Sequence, residues 1–264
     1  MKKISELIIL SYKNFSVYPL DMAGTFLLYI LRVGVIILLY KSLYQTQGAA
    51  SSIFDGYTFE DVVWPLLMTQ VIAVSRPRSM GEEFTNDIRT GKLGTELILP
   101  IHYLVGKSIH HLTVMFSNIG YFTLLAGIIG WITIGHFPSL IGSIGVLVLM
   151  FFAAITGFCG YLFMATIGFF VEDSKALTWI YSKMDLVFGG NILPVVFLPI
   201  WMQTLAYFTP FFHSGYSAAL FLKTPTLGYF VSVLSMNLLW IGVFILCSHL
   251  LFLMARKHIQ SNGG

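Results

Sequence analysis

The chain has 264 residues, of which 56% are hydrophobic and only 10% charged, and its mean hydropathy is +0.81. So few charges cannot cover a soluble globule of this length, which excludes a soluble domain and predicts an all-α polytopic membrane protein. With a net charge of only +3, where the charges fall matters more than their sum.

Residues 2–17 set Lys2, Lys3 and Lys13 among Ile4, Leu7, Ile8, Leu10 and Phe15 at helical spacing, predicting an amphipathic helix along the membrane interface. They contain no continuous apolar run or small-residue cleavage site, so they are expected to stay in the mature protein. The first predicted span is 22–44, long enough at 1.5 Å per residue to cross about 30 Å of hydrocarbon. It contains Arg32, and a guanidinium near mid-helix costs on the order of 2.5–3.5 kcal/mol, so Arg32 is expected to face protein or water. A contact to a polar or anionic substrate and a structural ion pair are both open readings. After a polar turn, the second span, 59–76, opens with Glu60 and Asp61.

Residues 76–100 form the only long charged segment. Ser79 followed by Glu82 predicts a capping box, and Gly91 offers a left-handed stop. Between them Met80, Phe84 and Ile88 make an apolar stripe, with Glu82, Glu83, Asn86, Asp87 and Arg89 around it. Such a helix can lie on lipid or dock on a protein. Carboxylates grouped at its start suit the helix dipole but repel anionic lipid, which favours a protein.

The third span, 104–134, starts with Lys107, His110 and His111. Adjacent histidines point about 100° apart and have no Asp, Glu or Cys at i+3 or i+4, so they read as interfacial or core residues and no metal is expected. The fourth span, 140–171, is rich in small residues, with Ala153, Gly157 and Gly160 permitting close helix approach. Cys159 and Cys247 lie in apolar runs and read as buried hydrophobes. The fifth span, 176–200, carries Lys183 and Asp185 on different sides of a helix, and Arg32 is the expected partner of Asp185. Gly189, Gly190, Pro194, Pro199 and Pro210 interrupt 187–212, which predicts a re-entrant helical segment. The sixth span is 227–254.

Lys2, Lys3, Lys13, Arg76, Arg78, Arg89, Lys92, Lys107, Lys175, Arg256 and Lys257 collect on one side of this topology, against Lys41 and Lys223 on the other. Both termini and the 79–93 helix are therefore expected in the cytoplasm, with the re-entrant segment outside. No nucleotide-binding loop is present: Val105-Gly106-Lys107-Ser108 has the Gly-Lys-Ser tail, but Ile101 stands where the first glycine is needed. HExxH, paired CxxC and GxSxG motifs are also absent, so the energy must come from a gradient or another chain.

Taken together, the interfacial helix, six spans, the charged helix after the second and the proline-broken segment after the fifth resemble the type-2 permeases of ATP-binding-cassette (ABC) exporters. Phe84-x-x-Asp87-Ile88-Arg89-x-Gly91-x-Leu93 is similar to the cytoplasmic segment of one bacterial branch, and Gly190-x-x-x-Pro194 with Pro199 and Pro210-Phe211 to its outer segment. The resemblance implies a coupling helix seating Glu82, Glu83, Phe84, Asp87, Ile88, Arg89, Gly91, Lys92 and Leu93 on a separate ATP-binding subunit, two copies of which carry ATP and magnesium. It implies a second permease chain, identical or homologous, and a gate formed by Gly190, Pro194, Pro199, Pro210 and Phe211. It also implies a bacterial cell membrane, no cofactor in this chain and no nucleic acid. The cost of intramembrane charge adds an expectation that Arg32, Lys183 and Asp185, with Asn191, form a polar patch near the permease interface that contacts substrate or one another. Broken helices and intramembrane charge also suit a self-sufficient secondary transporter or channel. Against that stand the lack of an inverted repeat and of any deep acid besides Asp185.

Overall fold

A computed structural model describes residues 8–13, 19–46, 56–92, 94, 103–171 and 174–262; among them there is no strand. Residues 8–13 are helical, whereas the rest of the predicted 2–17 helix lies outside the described residues. The long elements are α1 (Pro19–Thr46), α2 (Phe59–Ser75), α4 (Tyr103–Ile134), α5 (Leu140–Ile167), α6 (Ser174–Phe188) and α10 (Leu227–Asn262). A short helix, α3 (Met80–Arg89), follows α2. Three more, α7 (Ile200–Phe208), α8 (Pro210–His213) and α9 (Tyr216–Leu220), lie between α6 and α10.

Among the described residues, four helical stretches are long and apolar enough to cross a membrane: Met22–Gln45, Tyr103–Ile134, Leu140–Ile167 and Leu227–Ala255. The two remaining predicted spans form shorter helices. α2 has 17 residues. The 176–200 expectation needs correcting, because α6 has 15 residues and ends at Phe188. Gly189 and Gly190 end it, and Gly190 takes φ 66° in the left-handed region.

α5 is the spine. α10 runs along it, α4 lies on α2, and α3 sits against α5 and α6. Glycines let large side chains into this packing: a Cβ at Gly160 would lie 1.8 Å from the Tyr181 hydroxyl, and one at Gly130 would lie 2.3 Å from the Trp64 ring. Thr156 donates to Asn237 Oδ1 (2.6 Å), linking α5 to α10. α1 touches the bundle along one stripe of Tyr29, Val33, Ile36 and Tyr40, all buried, while Leu28, Leu31, Val35 and Leu38 on its other side are exposed. Exposed apolar faces of this kind are what a lipid-embedded helix presents.

Beyond α6 the chain stays broken through Leu220, further than the predicted 187–212. The prolines start elements here. Pro194 precedes a 3-10 turn at Val195–Phe197, Pro199 precedes α7, and Pro210 occupies the first turn of α8. A proline has no N–H to contribute and its φ suits a helix start, so these positions cost no ladder bond.

Candidate functional site

Two neighbouring regions draw together most of the charge near the bundle. The first is α3. Its apolar stripe packs Phe84 between Tyr103 and Phe169, with ring centroids 5.2 and 5.9 Å away. Met80 and Phe84 are fully buried. Gly81 brings the α3 backbone onto α6: Ser174 Oγ donates to the Gly81 carbonyl (2.5 Å), and a Cβ at Gly81 would lie 2.4 Å from Thr178 Oγ1. Asp87 is 4% exposed; it accepts from the Tyr103 hydroxyl (3.0 Å) and pairs with Lys107 (2.6 Å). Glu83 lies 3.2 Å from His111 Nε2, and Ser79 donates to it at 2.9 Å. Partial burial pushes the Glu83 carboxyl up, but its hydrogen bonds and the charges of His111 and Lys107 outweigh this and hold it at about 2, against an ordinary 4.5.

The expected Ser79–Glu82 capping box is not formed. Ser79 already has helical φ −74° and ψ −15° and caps no N–H, whereas an N-cap needs extended backbone. The capping box lies instead at the start of α2, where Thr58 and Asp61 bond each other's backbone.

The residues expected to meet a partner divide between two faces. Phe84 and Asp87 turn inward and anchor α3, and Glu83 and Ile88 are half-buried. Glu82, Arg89, Gly91 and Lys92 are exposed, together with Asn86. Glu82 lies 3.2 Å from Lys175, and Gly91 has φ 70°. Leu93 lies outside the described residues.

The second region is a polar knot at the root of α3. Arg76 was grouped with the soluble-side cations, but its side chain is 1% exposed and is paired with Asp185, itself 2% exposed. Arg76 Nη2 also donates to the Ser214 carbonyl (2.9 Å) and hydroxyl (3.1 Å). Gly157 and Gly215 provide the room, since a Cβ at either would lie 3.2–3.3 Å from the guanidinium. Asn191 donates to the Asp185 carbonyl (2.7 Å), and Gln70 of α2 donates to the Asn191 carbonyl. The end of α2, the last turn of α6 and the broken segment therefore share one buried network.

This corrects the expected pairing of Arg32 with Asp185. Asp185 is taken by Arg76, and Arg32 is half-buried on α1, which packs on α2. Lys183 is exposed, with its ammonium 5.2 Å from the centre of the Trp179 ring. Of the predicted polar patch, only Asp185 and Asn191 come together. Of the predicted gate residues, Gly190 packs on Tyr216, where a Cβ would lie 2.7 Å from its side chain, and Phe211 packs on Tyr181 with centroids 5.0 Å apart. Pro194 is buried, Pro210 is half-buried and Pro199 is exposed.

Sequence reasoning missed Arg76, Gln70 and Ser214. Arg76 ends an apolar helix beside Pro77 and Arg78, which looks the same as an interfacial anchor. The available signal was the pair of isolated glycines, Gly157 and Gly215, and it names no partner.

The family described as "ABC-2 family transporter protein" matches residues 30–263. A comparison with curated proteins finds no match.

Proposed function

Because the chain belongs to the ABC-2 transporter family, where it is a multi-pass permease subunit and not itself catalytic, we propose that it exports its substrate by alternating access. ATP is hydrolysed in a separate subunit seated on α3. Two such subunits, holding ATP and magnesium, serve a pair of permeases, this chain with an identical or homologous one. Both termini and α3 face the cytoplasm of a bacterial cell, and drug-like, peptide or lipid-like substrates suit the apolar spans.

The observation that carries this reading is the division of α3 into two faces. Glu82, Asn86 and Arg89 are presented outward, while Gly81, Phe84 and Asp87 fix the helix to α4, α5 and α6. A push on the outward face is therefore delivered to three helices. Through Arg76 it also reaches Asp185 and Ser214, next to the proline-broken segment. A partner that binds two arrangements of this network unequally shifts the balance between them. The secondary-transporter reading is weakened, since Asp185, its candidate deep acid, is paired with Arg76.

The test is capture of the tagged chain from its own membrane in mild detergent. An ATP-binding cassette protein is expected to accompany it and to be lost with Glu82→Lys/Asn86→Trp, two exposed positions. Recovery of the chain alone, unaffected by these changes, would overturn the reading.

A further inference from the structure

An apolar groove of about 580 Å³ runs between α4, α5 and α10. Its walls come from Ile109, Leu112, Ile155, Phe158, Leu162 and Ile245. One end is closed by Phe116 and Phe151, which stack with centroids 5.0 Å apart. Toward α3 the groove is lined by Ser108, Ser248 and His249, with Leu104 and Val105 one turn beyond. The groove thus has a long apolar body and a polar head.

Two observations say what fills it. Ser248 is 2% exposed, yet its hydroxyl has no hydrogen-bond partner in the protein, although buried hydroxyls almost always have one. An occupant with an ester or phosphate oxygen at this end satisfies it, with His249 and Ser108 beside it; a purely apolar occupant does not. The groove also spans Leu104 to Phe116 on one helix, a rise of about 18 Å. That is a little over half of a hydrocarbon core of about 30 Å, the depth of one leaflet. All three walls belong to helices long and apolar enough to cross a membrane.

We propose that the groove holds one phospholipid of the leaflet on the α3 side, with an acyl chain along α4 and its glycerol and phosphate region at Ser108, Ser248 and His249. The lipid fills the seam between α4 and the α5–α10 pair as a fixed part of the protein, distinct from the exchanging lipid around it. The proposal needs only membrane insertion and is independent of the export reading.

The test counts phospholipid phosphorus per chain after purification in mild detergent and extended exchange into lipid-free detergent. Wild type is expected to retain about one phospholipid per chain, as tight acyl-chain burial requires. Ile245→Trp puts an indole into the groove from a position 52% exposed, so no core packing is disturbed. It is expected to lower retention about tenfold, the effect of excluding two methylenes. Leu238→Trp, on the same helix at 51% exposure but outside the groove, is expected to retain lipid as wild type does. If Ile245→Trp does not fold, Val105→Trp fills the groove from the α4 wall, where Val105 is 47% exposed. Ser248→Ala is expected to lower retention about threefold by removing one hydrogen bond. Equal phosphorus in the groove-filling and control tryptophan variants, or a wild type that emerges free of phospholipid, would overturn the proposal. Unchanged retention in Ser248→Ala would overturn the placement of the polar head.

Discussion

α3 and the knot behind it are held by the same chemistry, a carboxylate against a cation, in opposite surroundings. Glu82 and Lys175 stand at 63% and 67% exposure, where water screens the pair and its contribution is about 0–1 kcal/mol. Arg76 and Asp185 stand at 1% and 2%. There each charge has lost its hydration and depends on the other, on Ser214 and on Asn191. Between the extremes lies Asp87, buried but reached by Lys107 at 16% exposure. The gradient runs from the outward face of α3 inward. On the proposed docking, a partner meets adjustable charges first, and behind them a buried network in which no charge can move alone.

The largest effect that could break this contrast is at the knot. Arg76→Leu and Asp185→Leu each leave a buried charge alone and are each expected to destabilise the protein by about 3–5 kcal/mol. The loss should appear as a fall in thermal midpoint and in detergent-stable yield. The double variant Arg76→Leu/Asp185→Leu removes both charges and is expected to recover most of that stability while transport remains lost. If the double variant transports normally, the pair is only packing, and the path from α3 to the broken segment does not run through it.

The difference in surroundings also explains what was legible in the sequence. The helical membrane class, the helix at 80–89 and the interruption at Gly189–Gly190, though not the early end of the fifth span, follow from local patterns: apolar run length, the Met80, Phe84, Ile88 stripe and the glycine pair itself. Each of these is decided within one or two helical turns. The knot is decided by residues 76, 185 and 214, which are brought together only by the fold. The cost of intramembrane charge correctly demanded a partner for Asp185, but it could not choose between Arg32 and Arg76. Arg76 looked solvated because lysine and arginine counts assign a side, not a depth. The burial of Asp87 is hidden for a related reason: a carboxylate on a charged helix reads as surface until Tyr103 and Lys107 are seen to enclose it.

The next effect down sharpens the role of Gly81 as the seat of α3 on α6. Gly81→Val needs space that Thr178 Oγ1 occupies at 2.4 Å, and it would lift α3 off Ser174. The side chain in the way is short and cannot swing far, so a loss of about 1–3 kcal/mol is expected from overpacking. Capture of the ATP-binding subunit should fall with it, because the outward face is tilted. Glu82→Gln leaves the backbone seat intact, and its stability change is expected to stay within about 1 kcal/mol. If the two variants shift the thermal midpoint equally, the seat on α6 carries no more than the exposed pair.

Asp87→Asn falls between these. It keeps the shape and the Tyr103 bond but removes the charge that Lys107 faces, for an expected cost of about 1–3 kcal/mol. Lys107→Met should couple to it in a double-mutant cycle, because the two side chains share one contact.

The smallest effect is a pH dependence at Glu83. Its folded-state carboxyl sits at about 2, below the ordinary 4.5, so the folded protein holds fewer protons there than the unfolded chain. The stabilisation is therefore fully present above about pH 4.5 and is lost as pH falls from there through about 2. Glu83 is 39% exposed, so salt should reduce the effect. Thermal midpoints between pH 6 and pH 3 are expected to fall less steeply in Glu83→Gln than in wild type, with the difference shrinking at high salt. An acid limb in Glu83→Gln identical to wild type would mean that His111 and Ser79 hold that carboxylate no more tightly than water does. The graded picture of α3 would then reduce to a sharp boundary at Asp87.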